Sequence, residues 1–175
     1  MIGLRLLALL SLAMGLSGCW YGQGLFADSD ARAIITPGIY RLTEPAKSAH
    51  DVTISMLPSG MTKLSDPESD DGDAAYGFAP VPGKSGRFLG WFAKADKPSQ
   101  QQAQIYFFVE QRGDSFAFFV PGCDGVDQGL ATGAGAVVES GSSKSCLFSD
   151  KQSVLKAIAQ VQPNESDRLV LTKKS

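Results

Sequence analysis

The sequence has little charge, little histidine and no long hydrophobic run, and each shortage excludes a class of protein. Charged residues make up 19% of its 175 residues, and 16 basic residues nearly balance 18 acidic ones. A near-neutral chain lacks the electrostatic surface that nucleic acid requires. The hydrophobic share of 43% is too high, and the net charge of −2 too small, for a disordered chain. We therefore expect one folded domain.

Catalytic residue types are scarce as well. His50 is the only histidine, so any Ser-His-Asp or Cys-His site would have to use it. It lies in a polar segment before a predicted strand, which favours a surface position. The chain has no G-x-S-x-G motif, and its S-x-x-K match at 153–156 lacks the S-D-N and K-T-G partners of the enzymes that use it. We expect a protein that is not an enzyme and that uses no cofactor.

The longest apolar run lies at the N-terminus and is typical of a secretory signal. Residues 6–16 form an apolar segment of 11 residues, preceded by the positive charge of Arg5. A transmembrane helix needs about 20 apolar residues, so this segment is too short to span a bilayer. We therefore interpret residues 1–18 as a signal peptide that takes no part in the fold.

The segment that follows, Leu16-Ser17-Gly18-Cys19, resembles the lipobox of bacterial lipoproteins. The resemblance implies cleavage before Cys19 and lipid, palmitate included, on its sulfur and amino group. Trp20 follows Cys19, whereas an Asp there favours retention in the inner membrane of Gram-negative lipoproteins. The resemblance therefore implies an anchor in the outer membrane, with the domain facing the periplasm. The alternative is an ordinary secretory signal that leaves Cys19 as a free thiol.

Two cysteines, Cys123 and Cys146, remain once Cys19 is assigned to lipid. Because the bacterial envelope is oxidising, we expect a disulfide between them. In the chain-entropy model such a loop contributes roughly 3.5 kcal/mol of stability. A redox or metal pair is the alternative. Their spacing is unlike C-x-x-C and they have no histidine nearby, which disfavours it.

The pattern along the chain predicts an α+β fold that is mainly β. We expect Cys19 and a tether over residues 19–36, with Trp20 and Tyr21 either at the membrane interface or packed on the domain. A single β-rich domain would span 37–175, built as a curled or barrel-like, mostly antiparallel sheet with one C-terminal helix and a final strand. Strand-like runs broken by turn residues occur at 38–43, 52–57, 61–65, 75–81, 87–95, 105–111, 115–120, 136–139, 145–148 and 168–172. Helical spacing over 149–161 predicts a helix capped by Ser149 and stopped by Pro163.

The hairpin predicted at 105–120 is apolar on both faces. A half-exposed sheet would not tolerate this pattern, so a helix, a second sheet or a ligand must cover each side. If the barrel is hollow, an apolar ligand would lie against aromatic side chains, with Phe88, Trp91, Phe107 and Phe119 as the candidate lining. Alternatively, these aromatic residues simply fill the core.

An acidic segment supplies the candidate cation ligands. It contains Asp66, Glu68, Asp70, Asp71 and Asp73. Its sequence does not match the calcium-binding D-x-[DN]-x-[DN]-G pattern, so we interpret it as a solvated loop and expect no metal site. A weak cation site is the alternative.

Three functions fit these observations. The first is a lipid-anchored protein that binds or scaffolds another envelope component, either a protein or a cell-wall polymer. The second is a carrier or sensor of a small apolar ligand, and the third is an inhibitor of an envelope hydrolase. A filled interior would favour the first function, and a lined, accessible interior the second.

Overall fold

Antiparallel strands dominate the fold, as the alternating runs and turn residues predict. The computed structural model describes residues 19–45, 47–69, 74–94, 98–123, 135–140 and 143–174. The strands are β1 (Trp20–Gln23), β2 (Gly38–Thr43), β3 (His50–Met56), β4 (Thr62–Ser65), β5 (Ala74–Pro80), β6 (Arg87–Lys94), β7 (Ala103–Arg112), β8 (Ser115–Phe119), β9 (Gly135–Ser140), β10 (Ser143–Phe148) and β11 (Leu169–Lys173). One α-helix, α1 (Lys151–Ile158), lies between β10 and β11.

Eight of these strands close into a barrel. The order β6-β5-β4-β3-β2-β11-β8-β7 is completed by a pairing between β6 and β7, and every pair in this ring is antiparallel. The predicted α+β, mainly β fold with one helix and a final strand is therefore confirmed. The final strand, β11, is one of the eight barrel strands and pairs with β2 and β8.

A wing of three further strands extends the sheet from β7. Strand β1 pairs antiparallel with the first half of β7 and parallel with β10, which in turn pairs with β9. Strand β8 pairs with the second half of β7. Strand β7 therefore pairs with β6 along one edge. Along its other edge it pairs with β1 in its first half and with β8 in its second half.

The barrel interior holds one apolar core. Tyr40, Val52, Phe107 and Leu171 are among its fully or nearly fully buried members. The ring of Phe107 contacts those of Tyr76, Phe78 and Phe118 at centroid distances of 5.9, 6.2 and 5.9 Å. Contacting aromatic rings therefore occupy the middle of the barrel.

A second apolar core covers the outer face of β5 to β8. It joins outward side chains of the barrel, such as Leu89 and Phe108, to Val154 and Ile158 of α1 and to Trp20 of β1. The two-faced apolar hairpin is thus explained: the barrel interior covers one side, and the helix and the wing cover the other.

Two glycines make these cores possible. A Cβ at Gly90 would lie 2.2 Å from the ring of Phe107 inside the barrel, and one at Gly77 would lie 2.0 Å from the ring of Trp91 outside it. Both distances are far below a van der Waals contact. Large aromatic side chains therefore lie directly over strand backbone at these two points.

The end of the barrel where β2 begins is closed by the segment before β2. Ile35 is 1% exposed and belongs to the inner core. The hydroxyl of Tyr40 donates a hydrogen bond to the carbonyl of Thr36 at 2.9 Å. This segment therefore seals one end of the barrel interior.

Two local features differ from the sequence prediction. Residues Trp20–Gln23 form β1 inside the sheet instead of a free tether, and Phe26 is buried in the outer core. Helix α1 is capped by Asp150 instead of Ser149, because the Asp150 carboxylate accepts a hydrogen bond from the Ser153 amide at 2.8 Å. The helix also ends before Pro163, at Ile158.

Within the described ranges, no helix is long and apolar enough to cross a bilayer.

Arg87 fastens the end of α1 to the barrel. Its guanidinium donates to the carbonyls of Ile158 and Val161 at 3.3 and 2.7 Å and to the Glu110 carboxylate at 2.5 Å. The same group lies over the ring of Phe108, 4.8 Å from its centroid. A cation at the C-terminal end of a helix also interacts favourably with the helix dipole.

We expect Arg87→Met to lower the free energy of unfolding by about 2–3 kcal/mol, because it leaves a partly buried carboxylate and two carbonyls without their donor. Urea denaturation would measure the loss. The matched control is Arg41→Met, which breaks the exposed pair with Asp51 and should cost less than about 1 kcal/mol. Equal losses in the two variants would contradict the role assigned to Arg87.

Candidate functional site

Cys19, the residue predicted to carry lipid, lies directly at the edge of the folded domain. Its carbonyl accepts a hydrogen bond from the amide of Cys146 at 3.2 Å, and the next residue begins β1. Partial burial raises the pKa of the Cys19 thiol. The predicted attachment point is thus joined to the sheet without intervening free residues.

Trp20 holds this junction in place. Its side chain is fully buried, and its ring lies 5.0 Å from that of Phe148. The indole Nε1 donates to the carbonyl of Gly122 at 2.8 Å. Of the two placements considered for Trp20, packing on the domain is the one observed.

The predicted disulfide between Cys123 and Cys146 is confirmed and lies beside the same junction. The two Cα atoms are 5.5 Å apart, and both residues are fully buried in the outer core. Cys123 follows Gly122, which accepts the hydrogen bond from Trp20. We call Cys19, Trp20, Gly122, Cys123 and Cys146 the anchor unit, because disulfide, hydrogen bonds and packing connect these five residues.

A buried glutamine fixes the chain that follows β1. Gln104 is fully buried, and its side chain accepts from the Phe26 amide at 3.0 Å and donates to the Phe26 and Ser99 carbonyls at 2.6 and 3.1 Å. The Tyr106 hydroxyl donates to the same amide oxygen at 3.3 Å, and burial raises the pKa of that tyrosine. The side chain is therefore fully hydrogen-bonded, as a buried amide requires.

The second end of the barrel, where β2 ends and β3 begins, carries partly exposed apolar side chains. They belong to inward-facing positions of five strands and are only partly buried: Leu64, Tyr76, Phe92, Phe118 and Leu169. We call this set the apolar rim. At the first end, which Ile35 covers, Phe88 and Ile34 are the partly buried members of the inner core.

The four aromatic residues predicted to line a ligand site lie on different sides of the sheet. Phe107 and Phe88 face the interior, Phe107 fully in the core and Phe88 partly buried against it. Trp91 and Phe119 belong to the outer core, where their rings stack on Phe26 at 4.8 Å and on Phe108 at 4.9 Å. The inclusion of Trp91 and Phe119 in the lining is therefore corrected, because alternation along β6 and β8 turns them outward.

The Trp91 indole nitrogen is the one buried side-chain polar atom without a hydrogen-bond partner in the described part of the chain. It lies within the outer core and not on the barrel interior, so it does not contribute to the rim.

His50 is not the surface residue that the sequence suggested. Its side chain is 10% exposed, and Nε2 lies 3.1 Å from both carboxylate oxygens of Asp66. Nδ1 lies 3.5 Å from the carboxylate of Glu68. His50 occupies the strand face of Val52 and Ile54, and this alternation in the sequence was the overlooked signal.

The hydrogen bond that the His50 imidazole donates to the Asp66 carboxylate raises the pKa of His50, with further contributions from the Ser48 carbonyl and Glu68. Tyr76 is close enough to Asp66 for that carboxylate to raise its pKa, although burial is the larger cause. His50 and Asp66 therefore form a polar pair beside Tyr76 of the apolar rim.

The acidic segment lies only in part within the described residues. Asp66 and Glu68 face His50, whereas Asp70, Asp71 and Asp73 lie outside the described ranges. No group of three or more potential metal ligands occurs among the described residues.

Comparisons with known proteins identify no relative. No protein-family model, curated protein or solved structure matches this chain. The sequence and the geometry of the anchor unit and the apolar rim are therefore the features that indicate a function.

Protonation of His50 should make stability depend on pH. Since its folded-state pKa lies above the unfolded value of about 6.5, the contribution is complete below that pH and is lost as pH rises through the folded pKa. Urea denaturation should therefore show a free energy of unfolding that falls as the pH rises above the unfolded pKa of about 6.5.

Asp66→Asn should remove most of this pH dependence. Asp51→Asn is the control, because Asp51 pairs with Arg41 and Lys174 instead of a histidine. A pH dependence that persists unchanged in Asp66→Asn would show that another group causes it.

Proposed function

We propose that this chain is a lipoprotein of the bacterial envelope, anchored in the outer membrane through Cys19, and that its barrel faces the periplasm. In this proposal the domain acts without enzymatic chemistry by binding another envelope component. The observation that carries the binding role is the apolar rim, where a closed barrel leaves inward-facing side chains of several strands partly exposed.

The lipobox-like segment 16–19 supports the anchor. Several acyl chains on one residue hold a protein durably, because each buried CH₂ contributes about 0.8 kcal/mol. The anchor unit adds mechanical support, since Trp20 and the disulfide connect the attachment residue to the outer core.

The rim supports a binding role on physical grounds. Leu64, Phe92, Phe118 and Leu169 present apolar surface that would be removed from water by a partner or ligand. The His50–Asp66 pair beside them can supply polar contacts that orient the bound group. Sites of this kind combine apolar surface with a few placed polar groups.

A small apolar ligand is the second candidate for what the rim binds. The partial exposure of Tyr76, Phe92 and Phe118 favours it, because these rings continue the aromatic interior toward solvent. The contacting rings around Phe107 restrict such a ligand to a shallow position at the rim.

The anchor is tested by the mass and partitioning of the expressed protein. We expect the mature N-terminal peptide to begin at Cys19 and to carry acyl chains, and the protein to enter the detergent phase after Triton X-114 separation. Cys19→Ser should lose both properties. The double variant Cys123→Ser/Cys146→Ser is the control, because it should lose only the disulfide and keep the lipid. An unmodified Cys19 in the wild-type protein would refute the anchor.

The ligand candidate is tested with a fluorescent fatty acid. We expect Phe92→Leu to weaken its binding about threefold or more, because the ring at the rim is lost. Phe119→Leu is the matched control, since it removes the same atoms from the opposite side of the sheet and should leave the affinity unchanged. Native mass spectrometry of the gently extracted protein would detect a copurified lipid. If the probe does not bind and no lipid copurifies, the ligand candidate is contradicted, and a protein or polymer is then the remaining candidate for what the rim binds.

A further inference from the structure

No flexible residue separates Cys19 from the folded domain. Trp20 is fully buried and pairs on both sides, with Tyr106 of β7 and Cys146 of β10. One residue spans at most about 3.6 Å. If Cys19 carries the lipid, the surface around it must stay within a few ångströms of the headgroups, and the domain cannot rotate freely above the bilayer.

The face of the wing around Cys19 is apolar and partly exposed. Tyr21 pairs with Ile105 on one side and with Leu147 on the other, and all three side chains are partly exposed. Trp20 alternates with Tyr21 and points into the outer core, so alternation places Cys19 on the face of Tyr21.

Val120 extends this surface. The pairing of β8 with β7 ends at Phe108, and the pairing of β1 with β7 covers Ala103 to Tyr106, so the chain at Val120 and at Cys19 lies at the junction between the two pairings. Val120 is 60% exposed and therefore adds apolar surface next to Cys19. We call Cys19, Tyr21, Ile105, Val120 and Leu147 the anchor face. None of these residues is charged.

We propose that the anchor face lies against the lipid headgroups, so that the barrel is held in one orientation on the membrane. This inference rests on the proposed lipidation of Cys19. The occupant is a lipid surface because the attachment point lies within the face itself, and because aromatic and aliphatic side chains without charge suit the interfacial region. The absence of charge also makes the contact independent of anionic lipid.

The same orientation brings the apolar rim close to the bilayer. Ile105 of the anchor face pairs directly with Phe92 of the rim. The two surfaces are therefore continuous across β6 and β7. A lipid or apolar molecule leaving the membrane would reach the rim without crossing the periplasm.

Photolabelling of the lipidated full-length protein tests the orientation. The protein is reconstituted into phosphatidylcholine vesicles that contain a phosphatidylcholine with a diazirine near its glycerol. We expect peptides containing Tyr21, Val120 and Leu147 to be labelled several-fold more than the peptide containing Ile39. Turns at the sealed end of the barrel, such as that at Gly60, should remain at background. Addition of phosphatidylglycerol or salt should not change the pattern.

A matched pair of variants supplies the control. Ile39 is also a large exposed apolar residue, 53% exposed, but it lies outside the anchor face on β2. Val120→Asp should reduce labelling of the Tyr21 and Leu147 peptides several-fold, whereas Ile39→Asp should leave it unchanged. Circular dichroism and the intact disulfide would show that both variants are folded.

Two negative outcomes are distinguishable. If mass spectrometry finds no lipid on Cys19, the proposed anchor fails and this inference fails with it. If Cys19 is lipidated but labelling is even over the surface, or is concentrated at the sealed end, the anchor stands and the fixed orientation is refuted. Unchanged labelling in Val120→Asp would likewise refute the role of Val120 in the contact.

Discussion

The burial of both faces of β7 is the constraint on which the rest of the structure depends. Phe107 and Val109 face inward, whereas Tyr106 and Phe108 face outward, and all four are buried. Burial of each large apolar side chain contributes about 1.5–3 kcal/mol, so neither face can be left in water. Closure of the barrel covers the first pair. The helix and the wing cover the second, which is why an eight-stranded ring carries three additional strands.

This arrangement makes the start of the described chain part of the core. Trp20 helps to cover the outer face of β7, and Gln104 satisfies the backbone of Phe26 in the next turn of the chain. The disulfide at Cys146 ties the same region to the segment that leaves β8. The residue proposed to carry the lipid is therefore attached directly to the domain's own hydrophobic core.

The strands, the helix and the disulfide could be predicted from the sequence, whereas the side of the sheet that a residue faces was predicted less well. The hairpin of β7 and β8 and the disulfide follow from alternation, turn residues and an even pair of cysteines. Trp91 and Phe119 were assigned to the wrong side of the sheet. Phe88 and Trp91 lie three residues apart on β6, so alternation places them on opposite faces and they cannot line one interior. The position of Trp20 could not be decided from the sequence. The four residues of β1 resemble an apolar tether in sequence, and only their pairing with β7 and β10 identifies them as a strand.

The sequence by itself therefore determined the strand and helix pattern, the mainly β fold class and the identity of the bonded cysteines. Tertiary structure alone decided that β6 meets β7 to close the ring, that the rim at one end stays partly exposed, and that Cys19 adjoins the sheet. The physical reason is the distance along the chain over which each effect acts. Alternation and turn chemistry involve a few neighbouring residues. Barrel closure and strand register depend on pairing between strands that are distant in sequence, and this pairing is stabilised only when both cores are packed.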